Sequence, residues 1–206
     1  MKEPAQDRSL DKLNGVVREL LLLAIEDIKK QGVTPLIVET FRTPERQMWL
    51  FGQGRTASQL IQKKVPVEYA HPGAVVTQTL NSIHKTGCAI DIIPVKNGKA
   101  VWNANDPDTK KIINTMIRYG FEAGANWKTF KDSPHYQIKL PQPKYSSVSK
   151  SNSTEFLTRA IQRKLKIADD GKWGQKTDDA VIAWRKERKL SPQAVLYAAN
   201  LKEMFK

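Results

Sequence analysis

A polar segment toward the C-terminal end most constrains how this chain can fold. Residues 141–153 contain two prolines and five serines and show no periodic apolar positions. This composition is typical of a linker, because it offers no face that folding could bury. We therefore predict that the 206 residues form a domain over 1–140, a linker over 141–153 and a small domain over 154–206.

The larger segment combines helical and strand patterns. Helical spacing of apolar residues predicts amphipathic helices at two places, 13–28 and 106–120. Short apolar or alternating runs predict strands at 36–41, 89–93 and 135–138, and Asn97-Gly98 predicts a hairpin turn. The expected fold class is α+β, with a small antiparallel sheet flanked by helices.

Two connections in this segment bear on function. Thr43 can cap a helix that Pro44 begins, so Arg42 lies where a strand passes into a helix. Residues 52–79 contain two prolines in an aperiodic context and predict a long, mostly irregular connection. Long connections of this kind often form the walls or lids of binding sites.

The C-terminal segment predicts a compact helical domain. Apolar residues follow helical spacing from Phe156 to Leu165 and again from Ala180 to Trp184, with a turn at 169–171 between them. A third helix is expected from Pro192 onward. The prediction is a small three-helix domain.

Charge and cysteine content limit the partners and cofactors. The chain carries 34 Lys and Arg against 21 Asp and Glu, a net charge of +13, which favours an anionic partner. No basic recognition helix or aromatic-basic platform accompanies this charge, so we do not expect nucleic acid to be that partner. A single cysteine, Cys88, excludes intramolecular disulfides and cysteine-rich zinc fingers. Any metal must therefore be held by His and carboxylate ligands.

The most apolar run, Leu20 to Ile25, is far too short to cross a bilayer, and no signal-peptide pattern precedes it. We therefore expect a protein without a transmembrane segment that is synthesised in the cytoplasm. If its target lies in the periplasm or outside the cell, a separate membrane-permeabilising protein is expected to release it.

Two histidines and two aspartates carry the chemistry that this sequence offers. His84 precedes Asp91, which lies in an alternating strand, and His135 follows Asp132 at the start of another strand. Two His and one Asp form a three-ligand zinc set that leaves a position open for water, as catalytic sites do. A free carboxylate would then move the proton, and Asp132 is the candidate. Arg42 could stabilise an oxyanion or hold a substrate carboxylate. Composition and spacing alone leave solvent-exposed surface residues as the alternative.

These segments resemble a known family. Ser82-x-His84-x-x-Gly87-x-Ala89-x-Asp91 and Asp132-x-Pro134-His135 are similar to the two signature segments of the zinc D-Ala-D-Ala carboxypeptidase and L-Ala-D-Glu endopeptidase family, and in particular of its phage endolysins. The segments at 41–47, 54–56 and 127–132 agree as well. The resemblance covers roughly residues 10 to 140.

The resemblance implies a role for each residue of these segments. His84, Asp91 and His135 would bind Zn²⁺, and Asp132 would be the catalytic carboxylate. Arg42 would contact substrate or the developing oxyanion, and Ser82 would lie beside the site as a substrate contact.

The chain departs from the family pattern at two places. Gly124-Ala125-Asn126 stands where members often have Gly-Gly-Asp, and Tyr136-Gln137 follows the final His where members often have Phe-Glu. No predicted ligand or catalytic carboxylate is replaced, so we expect activity with altered contacts around the site.

The tail resembles the three-helix peptidoglycan-binding module over about residues 153–190, through Asp170-Gly171-x-Trp173-Gly174-x-x-Thr177 and its flanking helices. Trp173 could present its ring to peptidoglycan, although packing inside the module is an equal alternative.

The resemblance as a whole implies a zinc metallopeptidase that cleaves the L-Ala-D-Glu bond of peptidoglycan and lyses bacteria as an endolysin. The alternatives are a D-Ala-D-Ala carboxypeptidase and an inactive wall-binding protein. The expected partners are peptidoglycan and the anionic surface of the envelope.

Overall fold

The structure is a computed structural model that describes residues 2–138 and 147–206. The first half of the predicted linker, residues 141–146, lies outside the described residues. Seven helices and seven strands occur in the described residues, with three short 3-10 turns at Val67–Tyr69, Ile83–Thr86 and Gly124–Asn126. The fold class is α+β, as predicted.

The larger segment is built around an antiparallel sheet. Its strands are β1 (Thr34–Glu39), β2 (Ala89–Lys96), β3 (Lys99–Ala100), β4 (Glu122–Ala123) and β5 (His135–Gln137). Their order is β1-β2-β5-β4, and β3 pairs with β2 through the predicted hairpin. Asn97 and Gly98 both have positive φ, 49° and 73°, as a two-residue hairpin turn of this type requires.

Helices α1 (Gly15–Lys30) and α4 (Pro107–Arg118) contribute to the main core, with buried residues that include Leu21, Ile28 and Ile112. Val17, Leu21 and Ala24 of α1 are fully buried, which explains the helical periodicity of the sequence. The sheet adds Ile90 and Ile92 to the same core.

The segment after β1 is more ordered than predicted. Helix α2 (Pro44–Gly52) begins at the predicted cap, where Thr43 accepts from the Arg46 backbone N–H. The prediction of an irregular connection over 52–79 is wrong for helix α3 (Ala57–Gln62). Thr56 and Gln59 form a capping box there, and Leu60 is buried in a small cluster with Phe51, Val65 and Tyr69. Its own apolar cluster therefore stabilises this segment.

The tail contains α5 (Glu155–Lys164), α6 (Gln175–Glu187) and α7 (Ala198–Met204). A strand that the sequence did not predict, β6 (Ser147–Val148), lies inside the predicted linker and pairs with β7 (Leu196–Tyr197). Buried residues of the tail belong to the same apolar cluster as α1 and α4. No helix among the described residues is long and apolar enough to span a membrane.

Candidate metal centre and catalytic cleft

Three side chains from different parts of the larger segment converge on one point. His84 Nε2 lies 3.1 Å from Asp91 Oδ1 and 3.1 Å from His135 Nδ1. His135 Nδ1 lies 3.2 Å from the same Asp91 oxygen. The sequence predicted these three residues as a ligand set, and the structure brings them together as a group that could hold a metal ion.

The sheet and one 3-10 turn position the three residues. Asp91 and His135 are directly paired on neighbouring strands β2 and β5. His84 lies on the turn Ile83–Thr86, where the Ser82 hydroxyl accepts from the His84 backbone N–H. Gly87 ends that turn with a φ of 69°, a left-handed conformation that favours glycine. A short turn and one strand pair therefore suffice to form the centre.

Backbone and side-chain acceptors fix the protons of both imidazoles. His84 Nδ1 lies 2.7 Å from the Thr40 carbonyl oxygen, which can only accept, so Nδ1 carries the proton and Nε2 a lone pair. His135 Nε2 lies 3.1 Å from Oε1 of Gln137, whose amide nitrogen donates to Glu122 over 3.0 Å. The proton of His135 is therefore on Nε2, and its Nδ1 lone pair faces the centre.

When both imidazoles are neutral, two lone pairs and one carboxylate oxygen thus approach within 3.2 Å with no proton between them. Such an arrangement is unfavourable unless a cation occupies the point where they converge. Neutral imidazole and carboxylate are ligands that zinc accepts, and three protein ligands leave a position for water or substrate. The donor set therefore fits a catalytic zinc ion.

Ionisation of the centre follows from its burial and charges. Burial alone would raise the pKa of Asp91, but His84 and His135 hold that pKa below its ordinary value of 3.8. Burial lowers and the neighbouring Asp91 carboxylate raises the pKa of His135, with a net increase. For Asp132, burial and the neighbouring charge of Asp91 raise the pKa above 3.8. A carboxyl with a raised pKa is suited to accept and return a proton.

A close backbone contact positions Asp132. Its backbone N–H donates to the Gly124 carbonyl over 3.1 Å. A Cβ added at Gly124 would overlap the Asp132 backbone oxygen and lie 3.2 Å from the Cβ of His135. Glycine is therefore needed here, because the loop that carries Asp132 rests directly on it.

Arg42 lies in the cleft with nearly all of its N–H groups engaged. It donates from Nε and Nη2 to Glu39, from Nη2 to Asp91 Oδ2 over 3.3 Å, and from Nη1 to Gln47 over 3.0 Å. One of its five N–H groups, on Nη1, has no partner among the described residues. A bidentate clamp on a substrate carboxylate, one of the roles predicted from sequence, is therefore not available in this arrangement.

Sequence reasoning missed the residues that hold Arg42. Glu39 is 2% exposed and also pairs with the buried Arg46, while Gln47 donates onward to the Thr79 carbonyl over 2.6 Å. The available signal was the charge itself, since Glu39 ends an otherwise apolar strand three residues before Arg42.

The centre opens into a cleft of about 570 Å³. The predicted site residues Arg42, Ser82, His84, Asp91, Asp132 and His135 all line it. The segment that follows α3 supplies a second wall through Val76 and Thr77, and the rings of Trp49, Trp102 and Trp127 complete the lining.

Trp173 lies in the tail and is 8% exposed. Its indole N–H donates to Asp178 Oδ1 over 2.7 Å. The ring therefore packs inside the helical unit, the alternative that the sequence left open for it. His71 stacks on Trp49, which lines the cleft, with ring centroids 4.1 Å apart.

Comparison with known proteins identifies the same region. The model of a family described as D-alanyl-D-alanine carboxypeptidase matches residues 76–138. This range contains the three candidate ligands and Asp132.

Two relatives agree with this match. The chain is 34% identical over 116 residues to the peptidoglycan L-alanyl-D-glutamate endopeptidase CwlK of Bacillus subtilis, covering 52% of this chain and 62% of the relative. It is 30% identical over 111 residues to the L-alanyl-D-glutamate peptidase of Listeria phage A118, covering 53% of this chain and 32% of that protein. The chain thus spans under two thirds of the length of each.

Among solved structures, the L-Ala D-Glu endopeptidase ChiX of Serratia marcescens aligns with 68% of this chain and 92% of its own. The TM-score is 0.43 and the sequence identity 22%. A structure of the LD-carboxypeptidase LdcB aligns with 67% of this chain, with a TM-score of 0.42.

Proposed function

We propose that this chain belongs to the family of D-Ala-D-Ala carboxypeptidases and L-Ala-D-Glu endopeptidases, and that it is a zinc-dependent endopeptidase that hydrolyses the L-Ala-D-Glu bond of peptidoglycan. The observation that carries the proposal is the convergence of three proton-free donor atoms within 3.2 Å beside Asp132. The names of the two curated relatives favour this bond over others.

His84, Asp91 and His135 are the residues that would hold the ion. When bound, zinc polarises the scissile carbonyl and acidifies a water molecule. Asp132 accepts the proton of the attacking water and donates it to the amine as the C–N bond breaks, which yields a carboxylate and a free amine. Its raised pKa makes Asp132 a stronger base toward the attacking water than an exposed aspartate.

Arg42 has two proposed tasks. Its contact with Asp91 Oδ2 holds that carboxylate so that Oδ1 faces the two imidazoles. Its one open N–H, on Nη1, can donate to the carbonyl oxygen as negative charge develops there. Ser82 caps the turn that carries His84 and lines the cleft, where its hydroxyl can contact substrate.

The metal requirement can be tested on purified cell walls. Treatment with a chelator should abolish release of soluble fragments, and added Zn²⁺ should restore it. Activity that survives exhaustive metal removal, verified by elemental analysis, would refute a metallopeptidase.

A D-Ala-D-Ala carboxypeptidase is the second candidate, and the description of the matched family favours it. The two activities differ in their products, because a carboxypeptidase releases free D-Ala and leaves the L-Ala-D-Glu bond intact. A pentapeptide stem offered to the enzyme distinguishes them by amino-acid analysis of the released fragment.

We further propose that the tail tethers the enzyme to the cell wall and that the protein serves in lysis. From residue 150 onward the chain carries 13 Lys and Arg against 7 Asp and Glu, which favours an anionic envelope surface. Co-sedimentation with purified walls over a range of salt concentrations tests the tether. A fall in the turbidity of permeabilised cells tests the lytic role.

A further inference from the structure

Beyond the ligands, a chain of hydrogen bonds extends from His135 through Gln137 and Glu122 to Trp127. His135 Nε2 faces Gln137 Oε1 at 3.1 Å, and Gln137 Nε2 donates to Glu122 Oε2 over 3.0 Å. Glu122 Oε1 accepts from the indole N–H of Trp127 over 2.6 Å. Strands β4 and β5 hold this chain in register, because Glu122 and Gln137 are cross-strand partners.

Only one orientation of the Gln137 amide suits both of its neighbours. A carboxylate accepts and cannot donate, so the amide nitrogen of Gln137 must face Glu122. Its oxygen then faces His135, which must donate from Nε2 and keep its lone pair on Nδ1. Gln137 is 6% exposed, so water has little access to relieve a wrong orientation.

We propose that Glu122 and Gln137 are positioning residues that set the tautomer of His135 and so the affinity of the centre for its metal. The inference rests on the metal-dependent function proposed above. It concerns the two residues that support His135 and does not depend on which peptide bond is cleaved. In this chain the Gln137 amide contacts His135, and the Glu122 carboxylate fixes the orientation of that amide.

The pair can be tested by exchanging its two groups. In Glu122→Gln, the Trp127 N–H still needs an oxygen, so the new amide nitrogen faces Gln137. Gln137 must then turn its own nitrogen toward His135, which moves the imidazole proton onto Nδ1, the atom that faces the metal. We expect the affinity for Zn²⁺ to fall about 10- to 100-fold, the usual range for lost partners of metal ligands.

The double variant Glu122→Gln, Gln137→Glu restores a donor and an acceptor at each hydrogen bond from His135 to Trp127. A carboxylate at 137 accepts from His135 Nε2 and from the amide at 122, whose oxygen accepts from Trp127. We expect the Zn²⁺ affinity of the double variant to return to within about threefold of that of the starting protein, a much smaller loss than in the single variant. A role in packing alone would not produce such a rescue.

Asp179→Asn is the matched control. Asp179 accepts from the Gln175 amide over 2.9 Å on the exposed face of α6, so the same carboxylate-to-amide change is made beside a glutamine outside the cleft. Its Zn²⁺ affinity should equal that of the starting protein.

Competition with a chromophoric chelator measures the affinities, and thermal unfolding of the metal-free proteins checks that each variant is folded. An unchanged affinity in Glu122→Gln, or a double variant no better than the single one, would overturn the proposal.

A second measurement needs no variant and no metal. ¹⁵N chemical shifts of the metal-free protein, at a pH where the imidazoles are neutral, should show His84 protonated on Nδ1 and His135 on Nε2. A His135 protonated on Nδ1 would overturn the inference, whichever peptide bond the enzyme cleaves. Failure of the starting protein to bind Zn²⁺ would count against the proposed function and leave this test of the tautomer intact.

Discussion

The cleft and the attached tail are stabilised by different kinds of interaction. In the cleft, buried ionic and polar groups contact one another, and Glu39 alone holds two arginines, Arg42 and Arg46. The tail packs against the larger segment through an apolar cluster, with the rings of Tyr119 and Phe156 4.2 Å apart.

The ion pairs around the tail are also of a different kind. The pair Arg163–Glu26 lies at its partly exposed edge, with two N–O distances of 2.8 Å. Loss of a partner in the cleft leaves a buried charge uncompensated, whereas loss of a pair at the edge of the tail exposes both groups to water. Substitutions in the cleft should therefore lower the free energy of unfolding or the catalytic rate strongly. Substitutions at the edge of the tail should lower the free energy of unfolding only slightly and leave the catalytic rate unchanged.

The largest effect is expected for Asp132→Asn. The amide cannot accept the proton of water, so kcat should fall about 10²- to 10⁴-fold, the usual contribution of a general base. Zn²⁺ affinity should stay within a few-fold, because Asp132 is not a ligand. Steady-state kinetics on a soluble muropeptide and a chelator competition measure the two quantities. Asp179→Asn should alter neither, and wild-type turnover in Asp132→Asn would refute its role.

Glu39→Gln tests the buried ionic cluster. It removes the carboxylate that both Arg42 and Arg46 contact, so the free energy of unfolding should fall by about 3–5 kcal/mol. Denaturant unfolding measures the change, with the exposed Glu68→Gln as the matched control. A loss below about 1 kcal/mol, the range of an exposed pair, would show that the cluster is not the buried network described.

Gly124→Ala tests the support beneath Asp132. The added methyl overlaps the Asp132 backbone, and accommodating it should cost about 1–3 kcal/mol of unfolding free energy. It should also lower kcat by moving the carboxylate. At Gly174, where an added Cβ meets nothing within 4 Å, the same substitution should leave kcat unchanged and cost only the about 1 kcal/mol that alanine costs at the N-cap of α6. Equal behaviour of the two variants would contradict the close contact.

Arg163→Ala should have the smallest effect. Exposed ion pairs contribute less than about 1 kcal/mol, so stability should fall within that limit and kcat should not change. Hydrogen bonds to Arg163 lower the pKa of Glu26 from its ordinary 4.5 and that of Asp169 from its ordinary 3.8. Both pairs therefore stabilise the fold above these pH values and are lost as pH falls through the lowered pKa values. The difference in unfolding free energy from Lys186→Ala should therefore shrink on acidification below about pH 4.5. A constant or growing difference would contradict the assignment.

The same contrast explains how much the sequence could reveal. The candidate ligands and Asp132 could be predicted because each chemical type occurs at a characteristic place in a signature segment, next to a strand or turn that the local pattern also predicts. Arg42 could be found for the same reason. The α+β class followed from alternating periodicities.

The supporting residues could not be found in this way. Glu39 and Gln47 lie only three and five residues from Arg42, but their contacts with it depend on how the chain turns between β1 and α2. Glu122 contacts Gln137 across the sheet. Apolar periodicity encodes neither kind of contact. These neighbours also determine how many N–H groups of Arg42 remain for a substrate. The short strand β6 was missed because two residues give no periodicity to detect.

The docking of the tail was missed for a related reason. The periodic pattern of α1 shows that the helix is buried on one side, but not which element covers it. Arg18, at the start of α1, donates to the carbonyl oxygen of Lys206 over 2.9 Å, a contact 188 residues apart in sequence.

The most direct test of the account is mass spectrometry of purified peptidoglycan digested with the zinc-loaded protein. Cleavage at the proposed bond leaves stem fragments with a new amino-terminal D-Glu and glycan strands whose peptide stems are reduced to L-Ala. We expect these two products, their absence after chelation, and their loss in Asp132→Asn. Release of D-Ala alone with intact L-Ala-D-Glu bonds would contradict it.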